Sequence, residues 1–580
     1  MSLRATLLLL FSFLTVVGFS QQQLQIKNGD LELTNPDQSD QYLWLFQNEK
    51  GQVKLIQETT TLESDSTQYY QSRNYAKALG NVFINQNDSI EIYSNSAEYF
   101  GNESKTTLRG EVALIQDVYT LQTDLLNYDL KREIATYTAG GQLSDTTSTL
   151  TSKRGKYYAT TKLAEFRDSV VLVTPERRIE TDTMDYNMET KRAAFKGPTT
   201  IIEDGQIMKT TSGWYNTDTG EAFFDGKPEI DNEETYFKAD LFEYGKEGDG
   251  KASGNVLYID KTQELELKAD NAQLENEKDI FAKGNVFLED KKNGITLTAE
   301  EADIFDSKKE FYARNNALVK YPKENFELLS DSLSYFDEAG LIYSRGRPIA
   351  STLFEGDSLY MVAKEMTAIR EVVNGDSIYN FVADKAVKIF KSDLQAVADS
   401  AYYNATDSTL TFFKDPVIWT DSTQMSADTI TLFIKNQEID KIHLRKNGFI
   451  VNLVEKGLYN QIKGREIDAF FVDGNIDNML VSGNAETIYY VQEDDGAFIG
   501  IDKMRCGQIR VLFEEQDISE IFWLNQPQGS TTPFKNANLS SFRLANFRWR
   551  EAEKPTSKNY LLRAIGRLEG GIPKLTAPVD

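Results

Sequence analysis

The chain has 580 residues, with 63 Lys and Arg against 89 Asp and Glu, and so carries a formal charge of −26 at neutral pH. A surface of that sign repels nucleic acid and anionic membrane faces, so neither is expected as a partner. A single histidine, His443, and a single cysteine, Cys506, exclude an internal disulfide and a His- or Cys-rich metal site, and argue against Ser-His-Asp or Cys-His catalysis.

Residues 1–20 read as a cleavable secretory signal peptide. Arg4 precedes an apolar run from Leu7 to Val17, and Gly18-Phe19-Ser20 follow it. The run is too short to span a bilayer, so the mature chain is expected to be exported and soluble. Residues 21–60 carry a polar turn, Asn35-Pro36-Asp37, between apolar pieces, and read as an N-terminal cap over an open sheet edge.

From residue 61 onward one phrase recurs: an apolar residue, any residue, a small residue, Asp, three free positions, then Tyr or another apolar residue. Its Asp falls at Asp65, Asp124, Asp182, Asp240, Asp270, Asp331, Asp399 and Asp428. Degenerate copies centre on Asn95, Lys153, Thr211, Glu300, Lys364, Glu466 and Gly507. The step is about 29–31 residues, about fourteen such repeats from Asp65 to Gly507, with stretched spacing after Ala350 and after Gly448. A second phrase, Gly followed by a short apolar run, sits half a step away, as in Gly80-Asn-Val-Phe-Ile, Gly254-Asn-Val-Leu-Tyr-Ile and Gly284-Asn-Val-Phe-Leu. Such a period marks stacked supersecondary units rather than one compact core.

Inside each repeat the apolar period is two. Leu265, Leu267 and Ala269 share one face, while Glu266, Lys268 and Asp270 share the other. The pattern predicts two to three strands of four to eight residues per repeat, stacked in two facing sheets. The fold class is therefore all-β, elongated and repetitive. Residues 61–350 form the regular repeats and 351–510 form further repeats with longer insertions. Residues 511–580 are a C-terminal cap or tail, with a short helix expected in 536–550. In that tail Arg543, Arg548, Trp549, Arg550 and Lys554 stand out as either a solvated cap or a docking segment. The repeated Asp is expected to bond backbone N–H groups where a strand turns, rather than to hold metal or act as a catalyst. His443 reads as a satisfied strand residue and Cys506 as a buried structural one.

The alternating Gly-x-Val-x-Leu and Leu-x-Ala-Asp-x-x-x-Tyr phrases behind a signal peptide resemble the OstA-like family. That family contains the LptA, LptC and LptD-periplasmic-domain type of lipopolysaccharide-transport protein. The match is clearest over Gly254–Leu274 and Gly284–Ile304. The resemblance implies a β-jellyroll of two splayed sheets whose inner face binds the acyl chains of lipid A, with no catalysis and no cofactor. It also implies a periplasmic, and in some forms outer-membrane-associated, location. The implied partners are lipopolysaccharide, other Lpt-type proteins including an outer-membrane LptD-like barrel, and a second copy stacked end to end.

On that reading the groove residues are Val82, Val112, Val256, Tyr258, Leu265, Leu267, Val286, Leu288, Ile295 and Leu297. The same apolar pattern would equally fill a closed core. Lipopolysaccharide head groups are anionic, so acyl chains would dominate binding in this acidic chain. Basic pairs such as Arg177-Arg178 and Lys191-Arg192, otherwise solvated strand ends, would at most steer the ligand. The competing readings are a secreted parallel β-solenoid or adhesin-type scaffold, and an outer-membrane barrel, the latter disfavoured by densely charged strands.

Overall fold

The computed structural model describes residues 22–34, 41–245, 248–276, 278–373, 376–493, 495–514 and 517–567. The expected signal peptide, residues 1–20, lies outside them. The chain divides into two compact units, Met1–Glu233 with Asp240–Lys246, and Glu234–Ala239 with Glu247–Asp580. This division comes well before the break expected at residue 350. The insertion at 371–376 only lengthens one hairpin, Glu365–Val373 with Asp376–Phe390.

Period-two patterning produces the expected strands, 44 of them among the described residues, and their pairings are antiparallel. That connectivity, hairpin after hairpin, corrects the parallel-solenoid alternative. The strands are also longer than expected. Tyr75–Gln86, Ile90–Phe100, Lys105–Gln116 and Tyr119–Asp129 each run 11 or 12 residues, two per repeat. The two phrases of the sequence are therefore the midpoints of neighbouring strands, not separate short strands.

At each midpoint the ladder slips. Gly80 and Asn81 occupy one strand while a single residue, Asn95, occupies the next, and Gly284 and Asn285 face Glu300 in the same way. Two residues against one is a β-bulge, which bends the strand. Both bulge residues are left-handed: Gly80 has φ +77° and Asn81 +41°, and Gly284 has +78° and Asn285 +47°. At Gly80 and Gly284 a Cβ would meet the repeated Asp of the neighbouring strand. It would lie 2.5 Å from Asp65 Oδ2 at Gly80, and 2.5 Å from Asp270 Oδ2 at Gly284.

The role expected for the repeated Asp changes accordingly. Its carboxylate accepts from side chains of the facing bulge: Asn81 to Asp65 at 2.8 Å, Asn285 to Asp270 at 2.9 Å, Arg347 to Asp331 at 2.8 Å. The backbone N–H of Asp65 donates to Gly80 O. Near Glu466 the corner residue is Arg465, one position earlier, opposite the left-handed pairs Lys446-Asn447 and Gly483-Asn484.

A row of such corners folds each unit's sheet into two facing arms. In the first unit Gln86 ends one strand in one arm, and Tyr128 sits near the opposite end of a strand three places along. Flat strands of 11 residues would hold those ends roughly 36 Å apart. Instead Tyr128 Oη donates to Gln86 Oε1 at 2.9 Å. The inward residues of both arms form one core in this unit, from Leu24 to Phe224. Residues 25–57, expected as a cap, supply the strands Gln25–Asn28, Asp30–Thr34, Tyr42–Phe46 and Val53–Gln57 and so extend the same folded sheet.

The C-terminal tail is neither a free docking segment nor helical at 536–550, where two 3₁₀ turns lie, Phe534–Asn536 and Leu539–Ser541. The α-helix comes later, Lys558–Ala564, its first turn capped by the Ser557 hydroxyl. The tail runs back over the outward face of one arm of the second unit. Buried Gln461 and Gln424 hold its backbone: Gln461 Nε2 donates to Phe542 O at 3.1 Å, and Gln424 Nε2 to Arg548 O at 2.8 Å. Leu561 and Leu562 then pack on Leu318, Leu329, Ile349 and Val362, whose sequence neighbours Ala317, Leu328, Ala350 and Met361 point inward. Arg567 closes the strap on Asp331 at 3.0 Å.

Two outcomes follow from these contacts. Gly284→Val puts a branched side chain on a left-handed residue and against Asp270, and should destabilise the second unit by about 2 kcal/mol in a denaturant titration. Ending the chain after Pro533 should bare the apolar outer face, raise the binding of a hydrophobic dye and lower the unfolding temperature by about 5 °C.

Candidate functional site

The repeat places four kinds of inward side chain in register, and their burial differs between the two units. In the first unit, the fourth residue after the bulge glycine is Ile84 or Leu114, and the fifth before the corner is Ile90 or Tyr119; all are buried. In the second unit the same positions hold Tyr258, Leu288, Leu265 and Ile295, and all four are only half-buried. Half-exposure continues through Leu274, Ile280, Ile304, Phe311, Val319, Phe326 and Ile342. These apolar side chains are still reached by solvent, unlike their counterparts in the first unit.

Two further repeat positions explain the difference. In the first unit, the fourth residue after the corner is Tyr69, Tyr99, Tyr128, Tyr157, Tyr186 or Tyr215, and each is buried. Six residues after the bulge glycine stand Gln86 and Gln116. Across the mouth, Gln86 Nε2 donates to Leu130 O at 2.7 Å while accepting from Tyr128, and Tyr157 Oη donates to Gln116 Oε1 at 2.6 Å. Tyr119 Oη donates to Met188 O at 2.9 Å, and Tyr69 Oη to Leu24 O at 3.0 Å.

Charged rungs complete the closure. Arg177, expected as a solvated strand end, has a side chain only 8% exposed: it pairs with Glu203 at 2.6 Å, donates to Thr217 O at 2.6 Å and stacks on Tyr215. Lys191 pairs with Asp145 at 2.8 Å. Burial works against the Asp145 carboxylate, but Lys191 and the amides and hydroxyls around it outweigh that and hold it well below the usual range. Burial likewise pushes the Tyr128 and Tyr157 phenols upward, so these rungs stay neutral hydrogen bonds.

In the open stretch the same positions are Leu274 and Ile304 in place of Tyr, and Asp260 and Asp290 in place of Gln. Neither aliphatic residue can donate, and the carboxylates turn back on their own hairpins. Asp260 Oδ1 accepts from Thr262 N at 2.8 Å and Gln263 N at 2.9 Å, and Asp290 Oδ1 accepts from Asn293 N at 3.0 Å. Burial above all, and the nearby Asp260 and Asp306 carboxylates after it, push the Tyr258 phenol upward. Farther along the second unit the mouth closes again, with Glu355 accepting from Ile439 N at 3.2 Å and from buried Lys391 at 3.0 Å.

The ten residues expected to line a groove separate accordingly. Val82 and Val112 are buried in the core of the first unit. Val256, Leu267, Val286 and Leu297, in the second unit, are likewise buried. Tyr258, Leu265, Leu288 and Ile295 are half-buried. The Tyr and Gln rungs were missed, although the Tyr closed the repeated phrase. Aligning the repeats column by column shows the paired change from Tyr and Gln to Leu or Ile and Asp. His443 accepts or donates one bond, to Asp468 at 2.8 Å, and Cys506 is buried.

Comparison with known families matches two stretches of these repeats. Residues 27–182 match the family described as OstA-like protein, and residues 266–438 match the family described as LptA/(LptD N-terminal domain) LPS transport protein. The two matches span 156 and 173 residues, so each covers less than a third of the chain. The first lies within the first unit and the second within the second unit. A solved structure also aligns: LptH, described as the LptA homologous periplasmic component of the lipopolysaccharide transport device from Pseudomonas aeruginosa. It covers 17% of this chain and 75% of its own, at 16% identity and a TM-score of 0.16. A search of curated proteins finds no match.

Removing one rung tests the closure directly. Gln86→Ala leaves the buried Tyr128 hydroxyl and Leu130 carbonyl unpaired, and should cost the first unit about 1–3 kcal/mol in equilibrium unfolding. The double variant with Tyr128→Phe should cost less than the sum of the two singles, because the pair acts as one unit.

Proposed function

We propose that this protein is a periplasmic, non-enzymatic component of lipopolysaccharide transport that holds the acyl chains of lipid A between the arms of its second unit. The observation that carries the reading is the contrast between equivalent positions: Ile84 and Leu114 sealed, Tyr258 and Leu288 open. Burial of each guest methylene contributes about 0.8 kcal/mol, so a few chains in the groove bind without any specific polar contact. The family matches support the substrate class, and among the described residues no helix is long and apolar enough to cross a membrane. On this reading the partners are other Lpt-type proteins, an outer-membrane LptD-like barrel among them, and a second copy stacked end to end.

Photo-crosslinking residues placed one at a time test the site. With lipopolysaccharide, positions 288 and 295 should capture lipid, whereas the equivalent positions 84 and 90 should capture none. Equal capture at all four would reject the division into sealed and open units. A second check builds the missing rung: Asp260→Gln with Ile304→Tyr should draw the mouth together and lower uptake of a fluorescent acyl probe several-fold. Unchanged uptake in a folded double variant would show that guests do not enter there.

A further inference from the structure

The outward face of one arm of the first unit carries a row of aromatic rings. Tyr42, Tyr70, Tyr75 and Phe100 stand side by side on four neighbouring strands, Tyr42–Phe46, Ser66–Tyr70, Tyr75–Gln86 and Ile90–Phe100. Their ring centroids are 5.1, 5.4 and 5.1 Å apart in turn. Trp44 and Phe46 extend the patch along the first of these strands, with centroids 5.6 Å apart and planes 7° from parallel. The alternate residues, such as Leu45, Tyr69, Ala76 and Tyr99, lie in the core, so the rings face outward, and each keeps some exposure to solvent.

A polar row runs beside the rings. Gln68, Lys77 and Glu98 are register partners on adjacent strands, and Trp44 lies opposite Gln68. None of these three polar side chains makes a hydrogen bond or ion pair among the described residues, and neither do the Tyr70 and Tyr75 hydroxyls. Farther along the same arm Lys105, Asp129 and Ile134 stand in place of the rings, and the polar side chains satisfy one another. Thr107 donates to Asn127 at 3.0 Å and Arg167 to Asp185 at 2.9 Å. Rings alone suffice to tie strands together, so a structural ladder leaves the unpaired polar row without a purpose.

The composition of the patch selects its partner. Among the outward residues of this arm on the four strands only Leu79 is aliphatic, which disfavours a lipid surface. Charge is mixed, with Arg73 and Lys77 against Glu32 and Glu98, which disfavours a polyanion or polycation. A pyranose fits both rows. Its C–H face meets the negative face of an aromatic ring, while its equatorial hydroxyls reach the donors and acceptors alongside. The rings repeat at the strand spacing, close to the rise of one sugar in an extended, equatorially linked chain.

We propose that this face binds a neutral β-1,4-linked hexopyranose chain lying across the strands. Tyr70, Tyr75 and Phe100 lie beneath successive sugars, and Gln68, Lys77 and Glu98 meet their hydroxyls. The site is on the outside of the arm, so its failure would leave the acyl-chain reading untouched.

The test titrates the full mature chain by calorimetry with cellohexaose, the β-1,4-linked hexamer of N-acetylglucosamine, the α-linked maltohexaose and free glucose. Both β-linked hexamers should bind at least about tenfold tighter than maltohexaose or glucose, because only an extended chain rests on several rings at once. Their affinity should not change with salt, since the guest is neutral. Tyr70→Thr with Tyr75→Thr and Phe100→Thr keeps strand-forming residues in place and should weaken both hexamers about tenfold. Gln68→Ala with Glu98→Ala touches no core residue, should weaken them several-fold, and serves where the ring variant fails to fold. No binding of either β-linked hexamer, equal binding of maltohexaose, or affinities unaltered in the folded variants would overturn the sugar face. Binding to phosphatidylcholine vesicles that the ring variant abolishes would assign the rings to a lipid surface and overturn it equally.

Discussion

Everything in this architecture depends on the corner where a left-handed residue pair, Gly-Asn at 80–81 and 284–285, meets a single residue, Asp65 or Asp270 there. The bulge bends each strand at its midpoint, and the absent Cβ of Gly80 or Gly284 leaves room for the carboxylate of the strand beside it. The Asn that follows then donates to that carboxylate, which fixes the register of neighbouring strands. Because the corner recurs once per strand pair, a sheet that would otherwise lie flat folds along a line. The inward faces of its two arms then supply each unit with an interior.

Whether that interior is full or empty is set far from the corner, at the strand ends. A Tyr and a Gln can bridge the arms, because one donates while the other both donates and accepts. A Leu or Ile facing an Asp cannot: the aliphatic side chain has nothing to offer and the carboxylate finds better partners in its own turn. The same backbone thus gives a packed core in one unit and half-exposed inward apolar side chains in part of the other. The substitutions there remove polar bridges without removing apolar surface.

The tail solves a different problem. The outer face of one arm in the second unit carries Leu318, Leu329, Ile349, Val451 and Ile501, which would be exposed apolar surface without a cover. The strap covers it with few hydrogen bonds of its own to spare, so buried Gln424 and Gln461 complete its backbone. The basic residues that looked out of place in the tail are part of that attachment. Arg550 pairs with Asp415 at 3.1 Å and with Glu553 at 2.7 Å, and Arg543 stacks on Tyr459 and Phe547.

Read alone, the sequence determined the all-β class, the repeat length and the inward face of each strand, because alternation and corner chemistry are local properties of a few adjacent residues. It did not separate Val82 from Leu288, since both are apolar residues at inward positions after a bulge glycine. Only the tertiary structure decided between them, because closure joins residues about 42 apart across two arms, as Gln86 and Tyr128 show. For the same reason the strap's seat was hidden: it is defined by residues on the outward face of strands more than 80 positions away, which no local pattern connects to the tail.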